Sequence, residues 1–341
     1  MQLGYDANGR RSSLTLPNGV VANYTYDAAS QLTAIAYSHG GSVLGDLAYT
    51  YDGGGRRASV SGSLAHTALP QPLGNAIYNP ENQLIQFGTS VLSYDADGNL
   101  TSDGSHTYTW DARNHLVAID GGSTASFTYD PFGRRISKTI YGITTGYLYS
   151  GASVVQELSG ASPSANLLTG GADEIFTRTD SSGPDSFLRD GQGSTTALTD
   201  SSGSILEQYT YGSYGNTSTS GSPSTNSYQY IGREADATGL YYFRSRYYSP
   251  ITQTFISEDP ADCTCRGDRH RCRPCIVAAI PGFIVSHPSA MGLRKDGAPR
   301  FEAGPLASRD LFLWAGGGVI YADGQDFVGV DGGFDHVAGY G

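Results

Sequence analysis

The sequence predicts an all-β fold built from repeated antiparallel β-hairpins. Three observations carry that prediction. A short aromatic–Asp motif recurs through the first 135 residues. Aromatic residues pair at a spacing of two just ahead of it. The composition is rich in turn and strand formers: 46 glycines and 24 tyrosines among 341 residues, with only two lysines and 16% charged residues. Glycine at that level stands well above the usual ~7%, and no long amphipathic run offers a helix.

The motif reads Y-D-A-N-G-R-R from Tyr5, Y-D-A-A-S-Q-L from Tyr26 and Y-D-G-G-G-R-R from Tyr51. It continues as Y-N-P-E-N-Q-L from Tyr78, Y-D-A-D-G-N-L from Tyr94, W-D-A-R-N-H-L from Trp110 and Y-D-P-F-G-R-R from Tyr129. The seven starts lie 16 to 27 residues apart. A worn eighth copy, Y-G-S-Y-G-N-T, begins at Tyr211. An Asp at the first turn position accepts hydrogen bonds from backbone N–H groups just beyond it. Three residues later the chain needs a positive φ, which Gly and Asn tolerate. The occupants are Gly9, Ser30, Gly55, Asn82, Gly98, Asn114 and Gly133, with Ser30 the one departure. A type I turn followed by a left-handed residue closes a short hairpin, so each copy marks a hairpin tip.

The flanks agree. Tyr24/Tyr26, Tyr49/Tyr51, Tyr108/Trp110, Phe127/Tyr129, Tyr147/Tyr149, Tyr209/Tyr211 and Tyr228/Tyr230 each place two rings on one strand face. After the turns an apolar residue returns, as at Leu14, Ile35, Val60, Phe87 and Ile119. The rings read first as strand-to-strand packing and second as a sugar-binding face. One hairpin alone is marginal in water. Stacked hairpins bury one another and give a repeat sheet rather than one compact core. Residues 61–75 and 159–164 read as loops, and 181–184 and 217–227 as turns or linkers.

One stretch, residues 228–260, stands apart: Y-Q-Y-I-G-R-E-A-D-A-T-G-L-Y-Y-F-R-S-R-Y-Y-S-P-I-T-Q-T-F-I-S-E-D-P. Its Gly232, Arg233, Asp236, Gly239, Tyr241, Tyr242, Arg244, Arg246, Tyr247, Tyr248, Pro250, Phe255, Asp259 and Pro260 resemble the core segment of the Rhs/YD-repeat family. Gln253-Thr254 stands where the family has Gly-Arg. The Tyr–Asp repeats are a second resemblance to the same family, so the likeness covers roughly residues 1–260. The run from Leu188, L-R-D-G-Q-G-S-T-T-A-L-T-D, is similar to the segment that precedes that core; its glycines lack the lysine and helix of a phosphate loop.

The resemblance implies a curved sheet or partial hollow β-shell, related to the shells of teneurins and insecticidal toxin complexes. It implies a non-catalytic scaffold in a large exported or cell-surface bacterial protein, enclosing a C-terminal effector in relatives. The chain opens inside a repeat without a signal peptide and reads as part of a longer chain of that type. In many members the core also ends in a self-cleaving aspartyl site, where two carboxylates share a proton. Asp259 matches one of them, and the second Asp-Pro motif is missing downstream. Arg233, Arg244 and Arg246 are expected to pair with Asp236, Glu234 and Glu258 and to stack on the tyrosines.

From residue 261 the character changes. Arg266, Arg269, Arg271 and Arg273 cluster, and all four cysteines of the chain (Cys263, Cys265, Cys272 and Cys275) fall together. Four thiolates can hold a structural zinc, and disulfides are the alternative. No other cofactor is expected. This tail reads as a variable region, a non-native continuation, or a toxin carrying His270, His287 and His336. The net charge of −11 argues against a general nucleic-acid surface, and no apolar run is long enough for a membrane span. The expected partners are the rest of the chain, an effector cargo or a surface glycan.

Overall fold

The computed structural model describes residues 1–69, 75–171 and 173–259 in full, and beyond them the backbone of five short strands. The chain forms two units, 1–275 and 276–341.

The first unit is β throughout its described residues, apart from two single 3₁₀ turns. Six strands, from Gln2–Tyr5 to Arg57–Ser61, form an antiparallel meander in chain order. A second meander runs from Tyr108–Trp110 to Thr217–Gly221. The short strand Thr67–Ala68 joins it by pairing in parallel with Ile205–Gly212. Between the two meanders lie a three-stranded and a two-stranded sheet. The last piece is a four-stranded sheet of Glu234–Ala235, Tyr241–Phe243, Arg246–Ser249 and Thr254–Phe255.

The turns form as the motif predicts. In the first copy Asp6 N–H donates to the Arg10 carbonyl at 2.8 Å, and Gly9 N–H returns to the Asp6 carbonyl at 3.0 Å. The Asp6 carboxylate accepts from the N–H groups of Asn8 and Arg10, each at 2.9 Å. All seven positions expected to be left-handed have positive φ, including Ser30 at 63°. Each such turn adds a one-residue register shift to its hairpin, as between Thr128 and Tyr129, the signature of a bulge.

A second regularity ties hairpin to hairpin. In seven cases a ring donates its O–H or N–H to the carbonyl five residues beyond the first residue of an earlier turn. Tyr26 bonds Arg11, Tyr51 bonds Leu32, Tyr94 bonds Leu84 and Trp110 bonds Leu100. Tyr129 bonds Leu116, Tyr149 bonds Arg135 and Tyr211 bonds Thr195. These distances run from 2.7 to 2.9 Å. Each aromatic thus buries its body between neighbouring strands and satisfies a carbonyl with its tip.

The repeats also meet far along the chain, beyond the nearest-neighbour stacking that the repeat pattern implies. Leu14, Ile35, Leu47 and Tyr49 share a core with Phe176, Leu188 and Ala197. Tyr37 Oη donates to the Arg189 carbonyl at 2.6 Å, and Gly191 N–H donates to Tyr49 Oη at 2.7 Å. Two further cores gather Leu116, Phe127, Tyr242 and Tyr247, and Leu167, Phe187, Leu198 and Tyr209.

Two expected loops and one expected turn or linker are corrected. Within 61–75, Thr67–Ala68 is the parallel strand, and residues 70–74 lie outside the described residues. Residues 159–164 span a tight hairpin turn between Ser153–Ser159 and Ser162–Thr169, with Gly160 at φ 61°. Residues 217–221 form an edge strand. Its Thr/Ser side chains are mostly exposed, so no apolar alternation marks it, while β-branched threonine suits a pleated edge. Val60, expected to return inward, is 39% exposed on the last strand of its sheet.

In the second unit, Gly292–Leu293 pairs with Pro299–Arg300. Leu311–Ala315, Gly318–Asp323 and Asp326–Val330 form a three-stranded antiparallel sheet.

The aromatic clasp predicts a measurable asymmetry. Tyr51→Phe deletes one hydroxyl-to-carbonyl bond and lowers stability by about 1 kcal/mol. Tyr5 is exposed and makes no such bond among the described residues, so Tyr5→Phe stays within about 0.5 kcal/mol of the parent. Urea unfolding of the two variants reads the difference.

Candidate functional site

The segment from Tyr228 to Asp259 is held to the second meander, which forms a wall of strands, by a buried cluster of charge. Glu234 and Asp236 sit two residues apart in an extended segment, so their side chains share a face. Asp236 opens a turn of the repeat type: its N–H donates to the Leu240 carbonyl at 2.8 Å and Gly239 N–H returns at 3.0 Å, with Gly239 at φ 83°. In the repeats the turn's carboxylate binds its own backbone. Here the Asp236 carboxylate reaches Arg135 Nη1 at 2.5 Å and Lys138 Nζ at 2.8 Å.

Arg135 and Lys138 come from the strand Arg135–Ile140, just after the seventh motif. The bulge there makes Ile136 the extra residue, so 135 and 138 share the inner face while Ile136 is 40% exposed. Arg135 is fully buried. Its Nη2 reaches Glu234 at 2.6 Å, and Lys138 Nζ reaches the other Glu234 oxygen at 2.7 Å. The guanidinium lies 4.0 Å from the Tyr242 ring centroid, a cation–π contact in a water-poor site. Tyr147 donates to Glu234, and Tyr247 Oη bonds both Arg135 and Tyr129. Two cations and two anions thus face each other with aromatic walls.

Burial alone would push the Glu234 carboxyl up; the charges of Lys138 and Arg135 and the hydrogen bonds overcome it and hold it at about 2. Burial would likewise pull Arg135 and Lys138 down, and their carboxylate partners raise both instead. The Tyr147 and Tyr247 hydroxyls are pushed well above the usual phenol range, first by burial. Glu234, Arg135 and Lys138 keep their charges at neutral pH, and the Tyr147 and Tyr247 hydroxyls stay neutral. The arrangement works as a charge lock.

The arginine partners differ from those expected. Arg233 and Arg244 both pair with Asp173 at 2.8 Å, and Arg246 pairs with Asp259 at 2.9 Å. Glu234 and Asp236 are taken by Arg135 and Lys138 because those side chains line the wall that the extended segment faces. The stacking partners also differ, being phenylalanines rather than the expected tyrosines: Arg233 lies 5.0 Å from the Phe243 centroid and Arg246 3.8 Å from that of Phe255. Tyr241 Oη bonds the Gly215 carbonyl at 3.1 Å and Tyr248 Oη that of Tyr214 at 3.0 Å. Gly232, at φ 66°, leaves room for the Asp173 carbonyl, which a Cβ would meet at 2.9 Å. Pro260 and Cys263, Cys265, Cys272 and Cys275 lie outside the described residues. Sequence reasoning missed Arg135, Lys138, Tyr147 and Asp173. The signals on offer were a doubled arginine after the turn and one of the chain's two lysines.

The cluster generates two expectations. Arg135→Met leaves Glu234 and Asp236 with one cation and costs about 3–5 kcal/mol, read by chemical denaturation. The acid dependence follows from Glu234. Its unfolded form binds a proton below about 4.5 and its folded form only below about 2. Between those values the unfolded chain holds more protons. The stabilisation is complete above about pH 4.5 and is lost as pH falls toward 2, which thermal midpoints across that range measure.

Comparison with known proteins places this architecture. The teneurin YD-shell family matches residues 1–266. The tRNA3(Ser)-specific nuclease WapA of Bacillus spizizenii is 34% identical over 310 residues, covering 75% of this chain and 13% of that protein. The double-stranded DNA deaminase toxin A of Burkholderia cenocepacia is 24% identical, over 82% of this chain and 23% of its own length. In the crystal structure of TcdB2-TccC3-Cdc42, one chain superposes with a TM-score of 0.56 at 22% identity, covering 76% of this chain and 18% of that one. The chain therefore spans a minor part of the length of each relative. With its repeat turns, its aromatic clasp and its docked core segment, this chain belongs to the teneurin and Rhs-type YD-shell family.

Proposed function

We propose that this chain is a non-catalytic section of β-shell wall in a longer, exported Rhs-type protein, and that residues 228–259 are the element that seals the wall's inner side around an effector. The observation that carries the reading is the charge lock. Arg135 and Lys138 bind the segment through Glu234 and Asp236, with the segment's Leu240, Tyr242, Tyr247 and Ile256 in the wall's core. Its most distinctive side chains are engaged in attachment. Several of the repeat tyrosines are engaged too: Tyr26, for instance, gives its hydroxyl to the Arg11 carbonyl and has Arg10 4.6 Å from its ring centroid, which disfavours a glycan face there. The relatives' names as nucleases, a deaminase toxin and toxin subunits support an effector as the enclosed cargo. Export or surface display belongs to the same reading.

Asp259 is one of the two carboxylates that a processing reading needs. Its carboxylate lies against the Arg246 guanidinium, an ion pair that serves to anchor the segment's end. The expected outcome is a single full-length species by intact mass after prolonged incubation, unchanged in Asp259→Asn. Limited proteolysis should leave residues 1–259 as one resistant piece. A fragment ending near Asp259 that disappears in Asp259→Asn would replace the scaffold reading with an autoproteolytic one.

A further inference from the structure

Beside the charge lock lies a cavity of about 70 Å³, lined in part by Asp173, Glu174, Arg233, Glu234 and Arg244. About 10–15 Å³ of such space holds one water, so the cavity has room for a small polar group of a few heavy atoms. Its charges do not balance. Glu174 is taken by Arg11, and Glu234 by Arg135 and Lys138. That leaves Asp173 to face two arginines, and one oxygen, Oδ1, serves both Arg233 and Arg244 at 2.8 Å. A third guanidinium, Arg189, donates to the Asp173 carbonyl at 2.7 Å.

Donors are also left over. Arg233 is 8% exposed, and its Nε has no hydrogen-bond partner among the described residues. Arg189 Nε and Nη2 are in the same condition. Buried donors of this kind are rare and call for an explanation. Burial pulls both Arg233 and Arg189 below the ordinary guanidinium range, so each gains from a further anion. The backbone around them is held in an uncommon shape. Asp173 (φ 66°), Ile231 (φ 51°) and Arg244 (φ 63°) are all left-handed. For a β-branched residue such as Ile231 that conformation is strained, and strain of this kind collects at binding sites.

We propose that this cavity binds a carboxylate, gripped by Arg233 and Arg244 in competition with the internal anion Asp173. A guanidinium presents paired donors that match a carboxylate. The carboxylate has two candidate sources: an acidic side chain from another segment of the longer protein, or a free small acid. The proposal stands independently of the scaffold reading, because it rests on local charge and geometry.

The test uses the full chain and follows the thermal midpoint in sodium acetate against sodium chloride at equal ionic strength and neutral pH. Binding to the folded state alone raises the midpoint with acetate concentration in a saturable way. Two variants move this response in opposite directions. Arg244→Lys keeps the charge that faces Asp173 but loses the fork, and weakens acetate binding about tenfold. Asp173→Asn keeps the shape, tolerates the left-handed backbone and frees both arginines; it tightens acetate binding about tenfold. A Gly-Glu-Gly peptide with blocked ends separates the sources: tighter binding than acetate identifies a chain segment, and weaker binding identifies a free acid. No acetate response beyond chloride in the parent, or an equal response in the parent and both variants, overturns the proposal.

Discussion

The structure turns on the burial of Arg135. A guanidinium removed from water is tolerable only where its charge is answered and most of its N–H groups are engaged. Asp236, Glu234 and Tyr247 answer the charge and engage Nη1 and Nη2, Nε has no hydrogen-bond partner among the described residues, and the Tyr242 ring lies against the guanidinium. Well-packed apolar side chains would serve stability as well or better. What the charges add is register. A one-residue slip in the extended segment would turn Glu234 and Asp236 to the opposite face and strand Arg135 and Lys138 without anions. The apolar contacts of Tyr242 and Leu240 are less discriminating, since a slipped ring still finds apolar surface. The ionic contacts select one docking position from several that the aromatics would accept.

Arg135 can be placed so well because the wall beneath it is regular. The Asp turn satisfies its own backbone, inserts a bulge and aims the next residue inward. In the seventh copy that residue is Arg135; in the first it is Arg11, which reaches Glu174. The clasp then fixes the spacing between hairpins, because each ring must reach one particular carbonyl. Tyr149 bonds the carbonyl of Arg135 itself, so the same residue carries the clasp on its backbone and the lock on its side chain. Local turn chemistry and long-range docking are joined at one position.

This division explains what could be read from the sequence. Turns were legible where the full signature survives, as at Asp6 or Asp130, because the carboxylate, the left-handed residue and the flanking aromatic all lie within a few residues. The same backbone turn recurs at Asp190, Asp200 and Asp236, and with Gly212 in the worn copy, by the same pair of hydrogen bonds. At Asp190, Asp200 and Asp236 the aromatic is absent, so the pattern no longer stands out. The edge strand Thr217–Gly221 was hidden for a related reason: nothing apolar alternates along it. The charge lock was illegible because its partners lie 101 residues apart. The sequence showed Glu234, Asp236 and three nearby arginines, and proximity suggested pairing them with each other. The fold instead gives those carboxylates to the wall, and sends Arg233 and Arg244 to Asp173.

The docked segment also depends on the wall for its own structure. Its four strands are two to four residues long, and so small a sheet has little stability by itself in water. Its apolar side chains complete a core that Leu116, Ile119 and Phe127 begin, and its carboxylates need cations that it does not carry on the same face. The repeats, by contrast, close contacts between adjacent strands, which low sequence separation makes quick to form. Sequence separation leads us to expect an order of assembly, with the hairpins stacking first and the segment, whose Asp236 meets Arg135 across 101 residues, docking last. The lock is therefore the device that sets the segment's register on a wall that forms from local contacts.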